Sequence, residues 1–152
     1  MKNYTKRTYI SSLLFMFGAI STVFPAYAEE NTGHAGQSKT LLRADTAWDG
    51  IPYKAYPQGS PELVVMQITV PAHSELDWHR HPVPNAVYIL KGNVTIEDKA
   101  TGKKKLFPEG TAFPEMFNKM HRGISGDEPV TMIAFYASTK GMPVTLYTPL
   151  KP

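Results

Sequence analysis

The chain has 152 residues, 16 Lys and Arg against 13 Asp and Glu, and no cysteine. The lack of Cys excludes disulfides, thiolate-bound zinc and a thiol nucleophile. The formal charge of +3 belongs to the first segment, where Lys2, Lys6 and Arg7 stand without any acid. The remainder is balanced in charge, which argues against electrostatic nucleic-acid binding.

Residues 1–28 read as a secretory signal peptide. A basic start precedes an apolar stretch from Ile10 to Phe24, and the small-residue site Ala26-Tyr27-Ala28 follows. The stretch is shorter than the about 20 residues a membrane span needs. Cleavage after Ala28 is therefore expected, giving an exported chain, periplasmic or secreted, with no membrane attachment. Roughly 124 residues would remain, enough for one core and not for two. Residues 29–39 are small and polar and predict a flexible arm, with His34 solvated in it. Residues 40–152 form the single predicted domain.

Within that domain the pattern is one of strands. Met66, Ile68 and Val70 alternate with Gln67 and Thr69, the two-residue period of a half-buried strand. Val87 to Leu90 is a short continuous apolar run, as in a more buried strand. Val94 and Ile96 alternate with polar neighbours, and Val130, Met132, Ala134 and Tyr136 share one face of a further strand. Turn residues separate these runs: Pro57 to Pro61, Lys91-Gly92-Asn93, Thr101-Gly102, Pro108-Glu109-Gly110 and Gly126 to Pro129. No window of helical length keeps a 3.6-residue stripe free of Pro and Gly. The fold class predicted is all-β, a sandwich or a barrel.

The informative chemistry lies in His79-Arg80-His81. On a strand, residues two apart point to one face, so the two imidazoles project side by side and Arg80 points away. Imidazole is a common ligand of divalent transition metals. A third histidine from another strand would complete three ligands with open positions, the arrangement of a catalytic site. Taken alone, the pair also fits two histidines on an outward strand face. Trp78 precedes it, and Pro82-Val83-Pro84 ends the strand and leads back to Gly92.

The run from His79 to Gly92 resembles the first motif of the cupins, which are small double-stranded β-helix (jelly-roll) barrels. That motif reads G-(x)5-H-x-H-(x)3,4-E-(x)6-G. Its positions fall at His73, His79, His81, Asn85 and Gly92 with every spacing kept. The histidines and the last glycine match, while His73 replaces the first glycine and Asn85 the glutamate. The second cupin motif, G-(x)5-P-x-G-(x)2-H-(x)3-N, aligns in two registers. One starts at Gly102 and keeps Pro108 and Gly110 but puts Phe113 at the histidine. The other starts at Gly110 and gives Met116, Asn118, His121 and Ser125. The second register keeps the histidine, and Asn118 suits a left-handed turn position better than most non-glycine residues.

The resemblance covers about Glu62 to Tyr136 and implies a cupin barrel. It implies that His79, His81 and His121 hold a divalent transition metal (Mn, Fe, Ni or Zn). Asn85 would either ligate the ion through its amide oxygen or hydrogen-bond a substrate. An amide leaves the bound ion its full charge, which weakens retention and strengthens its Lewis acidity. Glu115, six residues before His121, is a candidate for a replacement ligand, an acceptor for an imidazole N–H, or a catalytic acid/base. Trp78, Tyr88 and Phe113 are candidates for lining a small-molecule pocket. Glu75 and Asp77 read as solvated loop acids, His73 as structural or exposed, and the scattered methionines as packing.

Two functions follow from the resemblance. One is a metal-dependent enzyme acting on a small molecule at the barrel mouth, by oxygenase, decarboxylase, isomerase or lyase chemistry. The other is a non-enzymatic module that binds a small ligand or a metal. A third reading, an interaction protein with incidental histidines, is opposed by the preserved spacing. The resemblance also implies a homodimer, through the outer sheet or an N-terminal strand at Thr40 to Ala44.

Overall fold

The computed structural model describes residues 36–147. The expected signal segment, most of the expected arm and residues 148–152 lie outside the described residues. The described residues contain no helix and nine strands. These are β1 (Pro61–Val70), β2 (His79–Arg80), β3 (Asn85–Lys91), β4 (Val94–Asp98), β5 (Lys104–Phe107), β6 (Ala112–Pro114), β7 (His121–Ser125), β8 (Val130–Thr139) and β9 (Leu146–Tyr147).

The strands form two antiparallel sheets. One has the order β1-β8-β3-β6 and the other β5-β4-β7-β2-β9. This is an all-β double-stranded β-helix, as the sequence predicts. The period-two alternation decides which side chains fill the space between the sheets. In β3, Val87 and Ile89 are buried while Tyr88 between them is half-buried. In β8, Val130, Met132, Ala134 and Tyr136 all face the core. Val94 and Ile96 of β4 meet them from the other sheet, with Phe107 and Phe113 stacked at 3.7 Å between ring centroids. Full burial of a side chain such as Ile89 contributes about 1.5–3 kcal/mol.

Edges and turns explain the departures from the sequence pattern. β1 pairs only with β8, over all ten of its residues. It is an edge strand, so Met66 remains 41% exposed although its parity points it inward. Leu63 and Val65 are exposed on the other face of β1, beside Phe135 of β8. Thr40 to Ala44 lies in no strand, and Leu41 there is exposed. Too few apolar residues alternate in it to commit it to a sheet.

Three turn positions support the motif alignment. Gly92 has φ +77°, and a Cβ there would run into the Pro129 carbonyl oxygen, so only glycine fits. His73 and Asn118, the residues that replace the other two motif glycines, have φ 53° and 54°. Both hold the left-handed conformation the replaced glycines would adopt. The strain at Asn118 is offset by its hydrogen bonds. Its N–H donates to His81 O at 2.8 Å, and its side-chain oxygen accepts from Arg80 at 2.9 Å. Gly102 and Gly110 also have positive φ, 69° and 76°, so the turns fit either register, and the pairing of His121 with His79 is what favours the one starting at Gly110.

Candidate metal centre

Two short segments bring three imidazoles together. β2 carries His79, with His81 just after it, and β7 opens with His121. His79 and His121 are direct partners across the β2–β7 pairing, and residues opposite each other on neighbouring strands share a face. His81, two residues on from His79, joins them, and Arg80 points outward to Asn118. The ring centroids are 4.6–5.1 Å apart, and one ligand atom from each ring lies within 4.8 Å of the others. All three residues are buried.

Hydrogen bonds fix which nitrogen is free. Nδ1 of His79 lies 2.7 Å from Asp77 O, Nδ1 of His81 2.8 Å from Val144 O, and Nδ1 of His121 2.8 Å from Lys119 O. A carbonyl oxygen only accepts, so each Nδ1 must carry the proton and donate it. Each Nε2 is then left with its lone pair. Nε2 of His121 is buried and has no hydrogen-bond partner in the protein. Burial also holds the three imidazoles below their ordinary pKa, His81 down to about 3, against the opposing pull of those carbonyls. Neutral imidazoles with one nitrogen fixed by a second hydrogen bond are the form that ligates metal. The donor set fits a divalent transition ion.

Asn85 and Glu115 flank the imidazoles. Asn85 opens β3, and both atoms of its buried amide lack a protein partner. The Glu115 carboxylate is buried, with Oε1 unpartnered and 3.5 Å from Nε2 of His121. Burial pushes this carboxyl up to about 7, opposed by His79 and the Met116 N–H. Among the described residues five buried side-chain atoms lack partners, and four of them belong to His121, Asn85 and Glu115. Native interiors leave few such atoms, so their clustering marks a place built to bind something.

A second set of charges supports the site from behind. Lys119 Nζ donates to Asp49 Oδ2 at 2.8 Å and to Asp98 Oδ2 at 2.9 Å. Asp98 also accepts from the Ala100 N–H and the Thr101 hydroxyl, closing the turn after β4. Burial alone would raise the Asp98 carboxyl, but these donors outweigh it and hold it below its ordinary pKa. The Tyr53 hydroxyl donates to Glu115 O at 2.8 Å, and Trp48 N–H donates to Pro114 O at 3.0 Å. The stretch from Trp48 to Tyr53 thus ties down the connection that carries Glu115 and the carbonyl that orients His121.

The expected pocket aromatics are not brought to the imidazoles. Trp78 sits outside, its ring 4.5 Å from the Arg122 guanidinium and 5.4 Å from Lys99 Nζ. It precedes His79 by one residue, and that odd offset puts it on the other face. Tyr88 alternates with the inward Val87 and Ile89, so it faces away from the core. Phe113 is buried in the core against Phe107. The aromatics at the site are Tyr136, 5.2 Å from the His81 ring, and Tyr147, 6.0 Å from the His79 ring. Tyr136 was legible from the inward set of β8, which points it to the same interior. Tyr147 carries no comparable signal. Glu75 and Asp77 are exposed, Glu75 pairs with Arg122, and Asp77 contributes only its carbonyl.

No family model matches the chain, and no curated protein matches it in sequence. Solved structures do match its fold. One is a conserved protein with a double-stranded β-helix domain from Klebsiella pneumoniae. It is 15% identical, with a TM-score of 0.50, over 71% of this chain and 85% of that one. A cupin-like protein from Thermotoga maritima is 14% identical at TM-score 0.50, over 57% and 64%. The DMSP lyase DddQ from Ruegeria pomeroyi is 16% identical at TM-score 0.50, over 65% of this chain. The match spans 47% of that lyase, about half its length. These likenesses and the two-sheet topology define a cupin-fold protein. Its three inward histidines are placed to hold a metal ion.

Proposed function

We propose that the protein is an exported, metal-dependent cupin that acts on a small molecule at the mouth of the barrel. The observation that carries this reading is the set of three Nδ1–H···O=C hydrogen bonds, which leave three Nε2 lone pairs free among buried rings. When bound by His79, His81 and His121, the divalent ion would supply a Lewis acid with open coordination positions. Mn, Fe, Ni and Zn all suit such a donor set.

The chain's own groups would do the rest. Asn85 offers an unpaired donor and acceptor, suited to orienting a carbonyl or carboxylate of the small molecule. Tyr136 packs beside His81 and keeps water from that side of the ring. Tyr147 is 65% exposed and stands at the rim. The fold admits oxygenase, decarboxylase, isomerase and lyase chemistry, and the likeness to a DMSP lyase does not choose among them.

The neutral Asn85 favours a second reading, a periplasmic module that binds a small ligand or metal without turning it over. Turnover by metal-loaded protein separates the two. Export is supported by the basic start, the apolar run and Ala26-Tyr27-Ala28. N-terminal sequencing of the exported protein should begin at Glu29, and a start at Met1 would contradict cleavage. The metal reading is tested by the metal content of protein purified without chelator or histidine tag. We expect near-stoichiometric metal in the wild type and its loss in His79→Ala/His81→Ala. An empty wild type that no added ion stabilises would overturn it.

A further inference from the structure

We infer that Glu115 is the fourth ligand of the metal centre, a carboxylate delivered from β6's end instead of from β3. The inference rests on the three-histidine reading above and goes beyond it by assigning the anionic ligand.

The register of β3 and β6 supplies the argument. Ala86 pairs with Pro114 and Val87 with Phe113. The next pair in that register is Asn85 and Glu115, and Glu115 N–H donates to Asn85 O at 3.1 Å. Directly opposed residues project to the same face with their Cβ atoms about 4.5–5.5 Å apart. Asn85 is buried on the inward face, and Glu115 is buried beside it. The carboxylate missing at position 85 therefore stands one strand over, at the same level of the barrel.

His121 Nε2 and Glu115 Oε1 face each other with no hydrogen-bond partner, and with Glu115 ionised neither atom has a proton to give. Nδ1 of His121 holds its proton against Lys119 O, so the neutral ring presents a lone pair at Nε2. Glu115 Oε1 presents another, 3.5 Å away. Two lone pairs facing each other in a dry interior repel unless a proton or a metal ion lies between them, and an ion shared with the other two imidazoles serves all three free nitrogens at once. Ligands at tetrahedral angles around one ion at ~2.1 Å stand roughly 3.4 Å apart. The separation from His121 suits two ligands sharing an ion; the three histidine ligand atoms lie within 4.8 Å of one another without Glu115, so its carboxylate closes on the ion when metal binds.

The position is also held firmly. Tyr53 fixes the Glu115 carbonyl, and Lys119 is pinned between Asp49 and Asp98 four residues on. A ligand on a constrained connection costs less ordering entropy when the ion binds. One carboxylate with three neutral imidazoles would lower the charge of the bound site from +2 to +1 and strengthen retention.

The test is cobalt(II) titration of metal-free mature protein, read by its visible absorption and its dissociation constant. Glu115→Gln, which keeps the shape and removes the charge, should weaken Co²⁺ binding by more than about 100-fold and alter the spectrum, a change of spectrum that loss of an orienting group would not produce. Loss of a group that merely orients a ligand costs about 10–100-fold. Asn85→Ala should stay within a few-fold of wild type with an unaltered spectrum. Asn85→Glu/Glu115→Gln, which moves the carboxylate back to β3, should recover most of the lost affinity. Metal-free melting curves of the variants serve as the fold control.

Wild-type affinity and spectrum in Glu115→Gln would overturn the assignment. Loss in Asn85→Ala but not in Glu115→Gln would also overturn it and give the position to the amide. A wild type that binds no cobalt would instead overturn the three-histidine reading beneath it.

Discussion

Two polar clusters, one partly and one fully buried, meet in the connection between β6 and β7, and they are built in opposite ways. In one, Lys119, Asp49 and Asp98 satisfy one another and close the turn after β4. In the other, His121, Asn85 and Glu115 leave four buried atoms without partners. Burying polar groups is tolerated when they are matched and costs about 1–3 kcal/mol for each left unmatched. The first cluster is therefore a fastening of the fold. The second is a site whose cost is offset only when something binds. Both act on His121: one holds the Lys119 segment whose carbonyl orients the ring, and the other faces its free nitrogen.

The largest expected effect comes from filling the unmatched cluster. Metal at 100 times its dissociation constant should stabilise the protein by about 2.7 kcal/mol. For a domain of this size that is roughly 10 °C in melting temperature. Calorimetry should show the shift in the wild type and none in His79→Ala/His81→Ala. A similar shift in the variant would place the ion elsewhere.

Breaking the matched cluster should act without metal. Asp98→Ala removes the acceptor of Lys119, Ala100 and Thr101 and should cost about 2 kcal/mol in urea unfolding of metal-free protein. The figure is kept below that of a fully buried pair because Lys119 is partly exposed and retains Asp49. An unchanged midpoint would show that the network is not a fastening.

Acid should separate the clusters by pH. The three imidazoles have folded pKa values below the ordinary 6.5, so the unfolded chain takes up protons first. Their contribution to stability is complete above 6.5 and is lost as pH falls from there, toward about 3 for His81. Asp98 is also depressed, but from 3.8, so its contribution is lost only below that value. Glu115, raised to about 7, has the opposite sign and offsets part of this, but three imidazoles outnumber it, so metal-free protein should lose stability below about pH 6.5 and His81→Gln should flatten that limb. A pH profile flat down to 4 would contradict the buried neutral imidazoles.

The smallest effect concerns the segment that supports both clusters. Tyr53→Phe removes one hydrogen bond to Glu115 O and should cost about 1 kcal/mol. Its metal affinity should fall less than that of Glu115→Gln. An equal fall would mean that Glu115 depends on Tyr53 for its place.

The barrel was legible because its strands alternate and its turns carry Gly, Pro and Asn. The three histidines were legible because His79 and His81 share a parity and the motif spacing reaches His121. The left-handed φ of Asn118 was readable from the glycine it replaces. The aromatics were not, because size and apolarity do not say which face a residue takes. Tyr88 faces outward on β3, and Trp78 stands just before β2, on the side away from His79. Glu115 sits past the end of β6, where a turn breaks the simple parity count to His121. Only the pairing of β3 with β6 places it opposite Asn85.

The central claim is that one ion sits among the free nitrogens of His79, His81 and His121. A crystal of metal-loaded protein, measured at the metal's absorption edge, tests it most directly. The account predicts one strong anomalous peak within bonding distance of all three Nε2 atoms. No peak there, with the imidazoles bonded through Nδ1 or to one another, would contradict it.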